Sequence, residues 1–373
     1  MDYRSLGRCG LKVSTISLGT EYLLNQPSDV AFAVVREAVS RGVNNFDLFW
    51  AQPEFRSKMG GAFAGLRNLV MLAAHLGATV TDGQGDRTRD PKLALQYFED
   101  FLERYRTDYV DILYLHNIDE CGDYEKAFAP GGLRDLALEL KAQGKCRAIG
   151  FSGHTVETAR MAAESGDVDV IMFPVNMTGH GAPGRRAFFE RCAELGVGLV
   201  AMKPYAGGKL LQHESKLKLE MWHTGNGEME VERHETVTPA QCLAYVLAQP
   251  GISTIVPGCK DVVELREALA YYEATTEQRD FSAVLKDFDS YKGGECVYCN
   301  HCLPCPAGID IGETNRLLDL AKGNPTDELR AAYAKLTPAS ECTECGSCLE
   351  RCPFGVDAPL RIGAAAYVYE GKQ

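Results

Sequence analysis

The fold class predicted for this chain is α/β: a parallel (β/α)8 barrel followed by a small, helix-rich domain built around cysteines. Three observations predict it. Short apolar strands alternate with amphipathic helices over residues 1 to about 280, and eight such strands can be counted. Most are near-continuous apolar runs, as strands buried on both faces are. Two tight thiol runs then occupy the carboxy-terminal end: Cys296, Cys299, Cys302 and Cys305-Pro306, followed by Cys342, Cys345, Cys348 and Cys352-Pro353.

In chain order, an opening hairpin (DYRSL, LKVS) precedes TISLGT at 15–20, VNNFDLF at 43–49, NLVMLAAH at 68–75 and YVDILYLH at 109–116. CRAIGFS at 146–152, VDVIMFP at 168–174, GVGLVAMK at 196–203 and GISTIVPG at 251–258 complete the eight. Helical patterns lie between them, at 91–107, 131–145 and 186–196, several ending in the glycine that stops a helix. Units of this number and length make a TIM barrel, whose active site sits at the C-terminal ends of the strands. A doubly wound sheet is the competing arrangement, but no G-x-G-x-x-G follows the first strand. The longest insertion, 204–238, lies between the seventh strand and a helix opening at Thr238-Pro239, and a loop that long on the catalytic face serves as a lid or binding loop. The barrel is assigned to residues 1–280 and the second domain to 281–373, with a connecting helix and linker starting near 275. ETNRLLDLAKG and TDELRAAYAKL are helical in pattern and separate the cysteine runs, so the second domain is a helix-spaced variant of a ferredoxin.

The second run, C-x2-C-x2-C-x3-C-P, has the spacing of bacterial ferredoxins that wrap 4Fe-4S cubes, the last cysteine of each run reaching across to the other cluster. The first run is one residue shorter before its last cysteine. A zinc site needs only four ligands, so eight thiols in two runs of four fit zinc poorly. Two 4Fe-4S clusters and single-electron transfer are therefore expected. The chain is 45% hydrophobic and 24% charged, a globular balance, and neither a signal peptide nor an apolar run of membrane-spanning length is seen. Fourteen cysteines in such a chain indicate cluster ligands in a reducing compartment, hence a cytoplasmic location. Cys9, Cys121, Cys146, Cys192, Cys242 and Cys259 are left over as small core or loop residues. The net charge of −12 disfavours nucleic acid and anionic membrane as partners.

The segments YRSLGRCGLKVSTISLGT, NNFD, LYLH, GFSGH and VAMKPYAGG, together with the two cysteine runs, resemble the aldo-keto reductase superfamily in its ferredoxin-fused bacterial branch. The resemblance covers essentially the whole chain. It implies a tetrad of Asp, Tyr, Lys and His, in which tyrosine protonates a carbonyl while nicotinamide delivers hydride. Asp47 and His116 match two of the four, but the tyrosine position falls at Gln52 and the lysine position at His75. An amide is no general acid, and an imidazole lacks the permanent charge that lowers a phenol's pKa. Of the nicotinamide-binding residues the resemblance implies, Ser152 is kept and followed by Gly153, and the stacking tyrosine becomes Met202. The phosphate-binding positions correspond to Gly258, Cys259 and Glu264, with Lys260 beside them as a phosphate contact. The acidic residue opposes the 2′-phosphate of NADP(H) and leaves NAD(H) as the compatible nicotinamide.

Asp47, His75, His116 and His154, each at or just past a strand end, together with Lys203 are the candidate catalytic residues for acid–base work on a small-molecule substrate, or for a metal ion. For any one of them the plain alternative is a hydrogen-bonded structural role. Lys203 is read as an anion binder, a Schiff-base nucleophile or an ion-pair partner of Asp47, and Arg56 as an anion clamp or surface charge. Tyr22 and Tyr205 are candidates for the missing phenol. The function expected is an iron–sulfur oxidoreductase exchanging electrons with a redox partner such as a ferredoxin. Because clusters pass one electron and nicotinamide a hydride, a flavin in the barrel stays an open alternative. The other readings are a redox-neutral lyase, isomerase or dehydratase with structural clusters, and a non-catalytic electron carrier.

Overall fold

In a computed structural model of the chain the described residues are 1–371, except 181, 183, 213–215, 221–227, 233–236, 286–295, 297, 299, 301, 322 and 353–354; the side chains of 216–220 and 228–232 also fall outside the description. Cys299 and Pro353 lie outside the described residues. Two compact units are present, one of Met1–Thr79 with Arg87–Tyr291, the other of Val80–Asp86 with Lys292–Gln373.

Strands β1 (Tyr3–Ser5) and β2 (Lys12–Ser14) form the opening antiparallel hairpin. Next come β3 (Leu18–Gly19), β4 (Asn45–Leu48), β5 (Met71–Leu76), the short strands β6 (Ala78–Thr81) and β7 (Gln84–Arg87), and β8 (Val110–Leu115). They are followed by β9 (Cys146–Ser152), β10 (Val170–Pro174), β11 (Gly198–Met202), the pair β12 (Lys216–Glu220) and β13 (Glu228–Glu232), and β14 (Ile252–Val256). Eight of these form one parallel sheet in the order β3-β4-β5-β8-β9-β10-β11-β14. Parallel bridges from Ile16 to Ile255 and from Gly19 to Gly258 join its two edges. The sheet is closed, which rules out the doubly wound arrangement.

Alternation along each strand sorts the side chains into two cores. Phe46, Leu48, Leu72, Ala74, Leu113, Ile149 and Phe151 face the surrounding helices. Ala73, Ile112, Tyr114, Ala148, Val170, Met172, Val200 and Val256 fill the barrel, and Leu6, Leu11 and Val13 of the opening hairpin plug it from the N-terminal end. The plug lies against backbone: Gly7 has φ +53°, and a Cβ there would stand 2.3 Å from the Gly198 nitrogen. Helices start where the chain supplies caps. Asp90 accepts from the Lys92 N–H ahead of Pro91–Tyr105, and Thr238 and Gln241 form a reciprocal capping box ahead of Pro239–Leu247.

The second unit has its own core of Ile309, Ile311, Leu317, Tyr333 and Ile362, contributed by helices Ile311–Ala321, Asp327–Tyr333 and Ala358–Ala365. The excursion Val80–Asp86, which the sequence reading left inside the barrel, groups with this unit.

Candidate active site and cluster ligands

Inward-facing positions at the C-terminal ends of adjacent strands converge at the mouth of the barrel. Asp47 lies on β4, His75 on β5, and His116 follows β8; β4 pairs Asp47 with Ala73, and β5 pairs His75 with Tyr114. The three predicted residues are in contact. His75 Nε2 is 2.8 Å from Asp47 Oδ1, and His75 Nδ1 is 3.0 Å from His116 Nδ1. Asp47 and His75 are buried, while His116 is partly exposed. Phe49 lies parallel to the His116 ring at 6.2 Å, and the Tyr114 ring lies 4.9 Å from that of His75 on the inner side. Burial, then the neighbouring His75, then Arg89 and Arg87, hold the His116 pKa well below 6.5. His116 is therefore neutral at physiological pH.

A second chain of contacts runs through His154. Its Nδ1 is 3.1 Å from both carboxylate oxygens of Asp119, and its backbone N–H donates to Asp119 Oδ1. Its Nε2 lies 3.0 Å from Lys203 Nζ. Burial lowers the His154 pKa despite Asp119, and Lys203 lowers it further. With a neutral ring, Nδ1–H donates to Asp119 and Nε2 accepts from the ammonium. Turned so that its amide nitrogen donates to Asp119 Oδ2, the Asn117 side chain also accepts from Arg87 through its oxygen. Lys203 has φ +57°, and its carbonyl accepts from Asn176 Nδ2 at 2.9 Å. Holding a non-glycine residue there costs about 1–2 kcal/mol, which the packed surroundings offset.

Sequence reasoning missed Asp119, Asn117, Arg89 and Asn176, which lie in polar loops without periodicity, Arg87, which ends the short polar strand β7, and Tyr114, which has the pattern of core. Three expectations need correction. Arg56 is neither a clamp at the mouth nor surface charge: it is 2% exposed, and its guanidinium donates to the Trp50 and Tyr97 carbonyls and to Asp100. Tyr205 packs against the outer core with its hydroxyl buried, and burial pushes its pKa well up. The Tyr22 ring lies over Gly258, where an added Cβ would stand 2.6 Å from it. Neither supplies the missing phenol in this arrangement. Gln52, at the tyrosine position, keeps its Oε1 buried and unpartnered.

The residues expected to hold a nicotinamide do not fit it. Ser152 ends β9 and is buried, but a Cβ at Gly153 would meet the Ile118 carbonyl oxygen at 2.8 Å, so no amide side chain fits there. Glu264 Oε2 accepts the Lys260 backbone N–H at 2.9 Å, Glu264 Oε1 pairs with Lys260 Nζ at 2.7 Å, and Asp261 caps the same helix. Carboxylates thus take the donors a phosphate would use. As for a metal ion at the mouth, no group of three or more His, Cys, Asp or Glu among the described residues could hold one.

In the second unit one hollow is lined by Cys302 and Cys305 of the first run and Cys342, Cys345 and Cys348 of the second, with Pro304, Ile309, Ile311 and Ile362 in its walls. Thiols from both runs around one apolar-walled hollow suit a cubane that takes its fourth ligand from the other run. Every described cysteine is unbridged. The fully buried Asn315 directs its Nδ2 at Cys296 Sγ, 3.5 Å away, and its Oδ1 accepts from Arg361. The Val356 N–H points at Cys352 Sγ at 3.4 Å. Such N–H···S contacts are the outer-shell support thiolate ligands use. Of the leftover cysteines, Cys146 and Cys192 are core residues whose thiols burial pushes up to about 12. No described helix is long and apolar enough to cross a membrane.

A family model described as "Aldo/keto reductase family" matches residues 15–286, and one described as "4Fe-4S dicluster domain" matches 295–357. L-galactose dehydrogenase of Arabidopsis thaliana is 26% identical over 293 residues, covering 72% of this chain and 88% of its own. The uncharacterized oxidoreductase YrpG of Bacillus subtilis (strain 168) is 26% identical over 340 residues, covering 79% and 98%. Among solved structures, aldo-keto reductase AKR11C1 from Bacillus halodurans (holo form) superposes with a TM-score of 0.61 at 22% identity, covering 78% of this chain and 98% of that one. The closed barrel agrees with the family model over residues 15–286, and the chain belongs to the aldo/keto reductase family, as an oxidoreductase whose barrel is followed by a 4Fe-4S dicluster domain.

Proposed function

We propose that the chain acts on a small molecule at the barrel mouth, with His116 handling the proton of the redox step and two 4Fe-4S clusters carrying the electrons one at a time. The carrying observation is the unbroken contact Asp47, His75, His116. The Asp47 carboxylate accepts, which puts a proton on His75 Nε2. With the proton at Nε2, His75 Nδ1 offers a lone pair, so His116 donates from its own Nδ1 and keeps a lone pair at Nε2. A proton taken up at His116 Nε2 is passed on as the Nδ1 proton crosses to His75, and the cation comes to rest against Asp47. His116 thereby works as a base without retaining a charge that burial and Arg87 and Arg89 oppose. Run backwards, the same relay is an acid. Lys203, oriented by neutral His154, supplies a positive charge for an oxygen developing negative charge.

Dehydrogenation, the reaction class in the name of the Arabidopsis relative, releases two electrons and two protons. Clusters held by the two cysteine runs would take up the electrons singly, while one proton passes to His116 and the other to water. Electrons leave to an external one-electron carrier such as a ferredoxin, and unbridged thiols suit a reducing compartment such as the cytoplasm. The test is an anaerobic screen of sugars and hydroxylated aldehydes, beginning with L-galactose, following bleaching of the cluster absorbance. Turnover that bleaches the clusters and drops about 100-fold or more in His116→Ala supports the reading. Turnover that needs NADPH and ignores both the clusters and His116 overturns it.

A further inference from the structure

Gln84, the first residue of β7, belongs to the second unit and is half-buried there. Its amide engages both sides of one backbone position. Gln84 Oε1 accepts the Cys305 N–H at 3.1 Å, and Gln84 Nε2 donates to the Cys305 carbonyl at 3.2 Å. The same carbonyl accepts the Gly308 N–H at 2.9 Å, so both polar groups of Cys305 are committed. On the other side of the peptide, Arg351 donates to the Pro304 carbonyl at 2.9 Å. A cyclic amide–backbone pair of this kind restrains rotation about the residue it grips, because turning Cys305 in either direction stretches one of the two bonds. What is gripped is a thiol that lines the hollow with Cys302, Cys342, Cys345 and Cys348, and as the last cysteine of its run it is the one ferredoxin spacing sends across to the other cluster.

We infer that Gln84 is a positioning residue for one cluster: it holds Cys305 in the rotation that completes the ligand set of the second cysteine run. The inference rests on the two-cluster reading and assigns Gln84 to the cluster of Cys305, Cys342, Cys345 and Cys348 only. The other thiolates have different support, with Asn315 at Cys296 and the Val356 N–H at Cys352. Loss of the clamp should therefore change one cluster relative to wild type and leave the other as it was.

The experiment compares anaerobic wild type with Gln84→Ala and Gln84→Glu. Glutamate preserves size and can still accept the Cys305 N–H, but its carboxylate faces the carbonyl with no proton to donate. Iron release to a chelator is followed by absorbance, and the reduced clusters by electron paramagnetic resonance. Wild type must first contain about eight iron per chain; if it does not, the two-cluster reading is overturned and the Gln84 inference with it. Given eight, both variants should release half of their iron about 10-fold or more faster than the rest, the scale on which removing an outer-shell partner weakens a metal site. The resonance of one cluster should change while that of the other stays. Release kinetics and spectra identical to wild type in both variants would overturn the inference, as would equal acceleration of all the iron, which would mark Gln84 as a general packing residue.

Discussion

His116 is the residue on which the proposed chemistry turns, and its lowered pKa has a measurable consequence for stability. Unfolded, its imidazole titrates near the ordinary 6.5, whereas the folded ring resists protonation, and His154 behaves the same way. Below about pH 6.5 the unfolded chain binds protons that the folded chain refuses. Stability therefore falls as pH drops through that window and is regained as pH rises back to 6.5 and above. Asp119, with its pKa lowered from 3.8, adds its own loss only at more acidic pH. Thermal unfolding between pH 7.5 and 5.5 should show this slope, and His116→Asn should flatten it; an unchanged slope would contradict a folded ring that resists protonation. The relay itself makes a second claim. His75→Ala and His116→Ala should each lower turnover about 100-fold or more while leaving iron content intact, since the cluster ligands come from other residues. Full turnover in both would move the chemistry toward Lys203 and the 204–238 insertion.

Among the elements, β8 and β9 are fitted most tightly beneath the site. Gly150 on β9 lies against the Tyr114 ring, where an added Cβ would stand 2.2 Å from Tyr114 Cδ1, and that ring in turn supports His75. Gly150→Ala should cost about 1–3 kcal/mol in chemical denaturation, the range for overpacking a filled core, and should lower turnover as His75 is displaced. The helix Val262–Leu269 carries a separate prediction. Asp261 takes the helix's Glu264 N–H and Glu264 takes the Lys260 N–H just ahead of it, so titration should show weak binding of NADH and no advantage for NADPH. Tight, NADPH-selective binding would mean that these carboxylates swing away. All eight barrel strands were legible in the sequence because each is an apolar run between helical periods. The hairpin of β6 and β7 was not, because GATVTDGQGDR is short and polar and pairs only with itself. Asp119 escaped for a related reason: a single carboxylate in a loop gains meaning only when the fold brings it to His154.

For the molecule as a whole, family membership and ligand chemistry pull in different directions, and the residues at the barrel mouth explain how. The fold is that of a family whose name describes carbonyl reduction, and the resemblance would place half of its tetrad at Asp47 and His116, which both contact His75. The other half is replaced by Gln52 and by His75, which lies in contact with both kept residues. The cysteine runs were legible because thiolate spacing is a local code. The pairing of Cys305 with the second run was expected from ferredoxin spacing, whereas the clamp from Gln84 was not, since it joins segments far apart in sequence. The most direct measurement is metal and acid-labile sulfide analysis of anaerobically isolated protein, combined with electron paramagnetic resonance after reduction. The expected result is about eight iron and eight sulfide per chain, with two reducible 4Fe-4S signals. Stoichiometric zinc without sulfide would contradict the electron-carrying role and the function built on it.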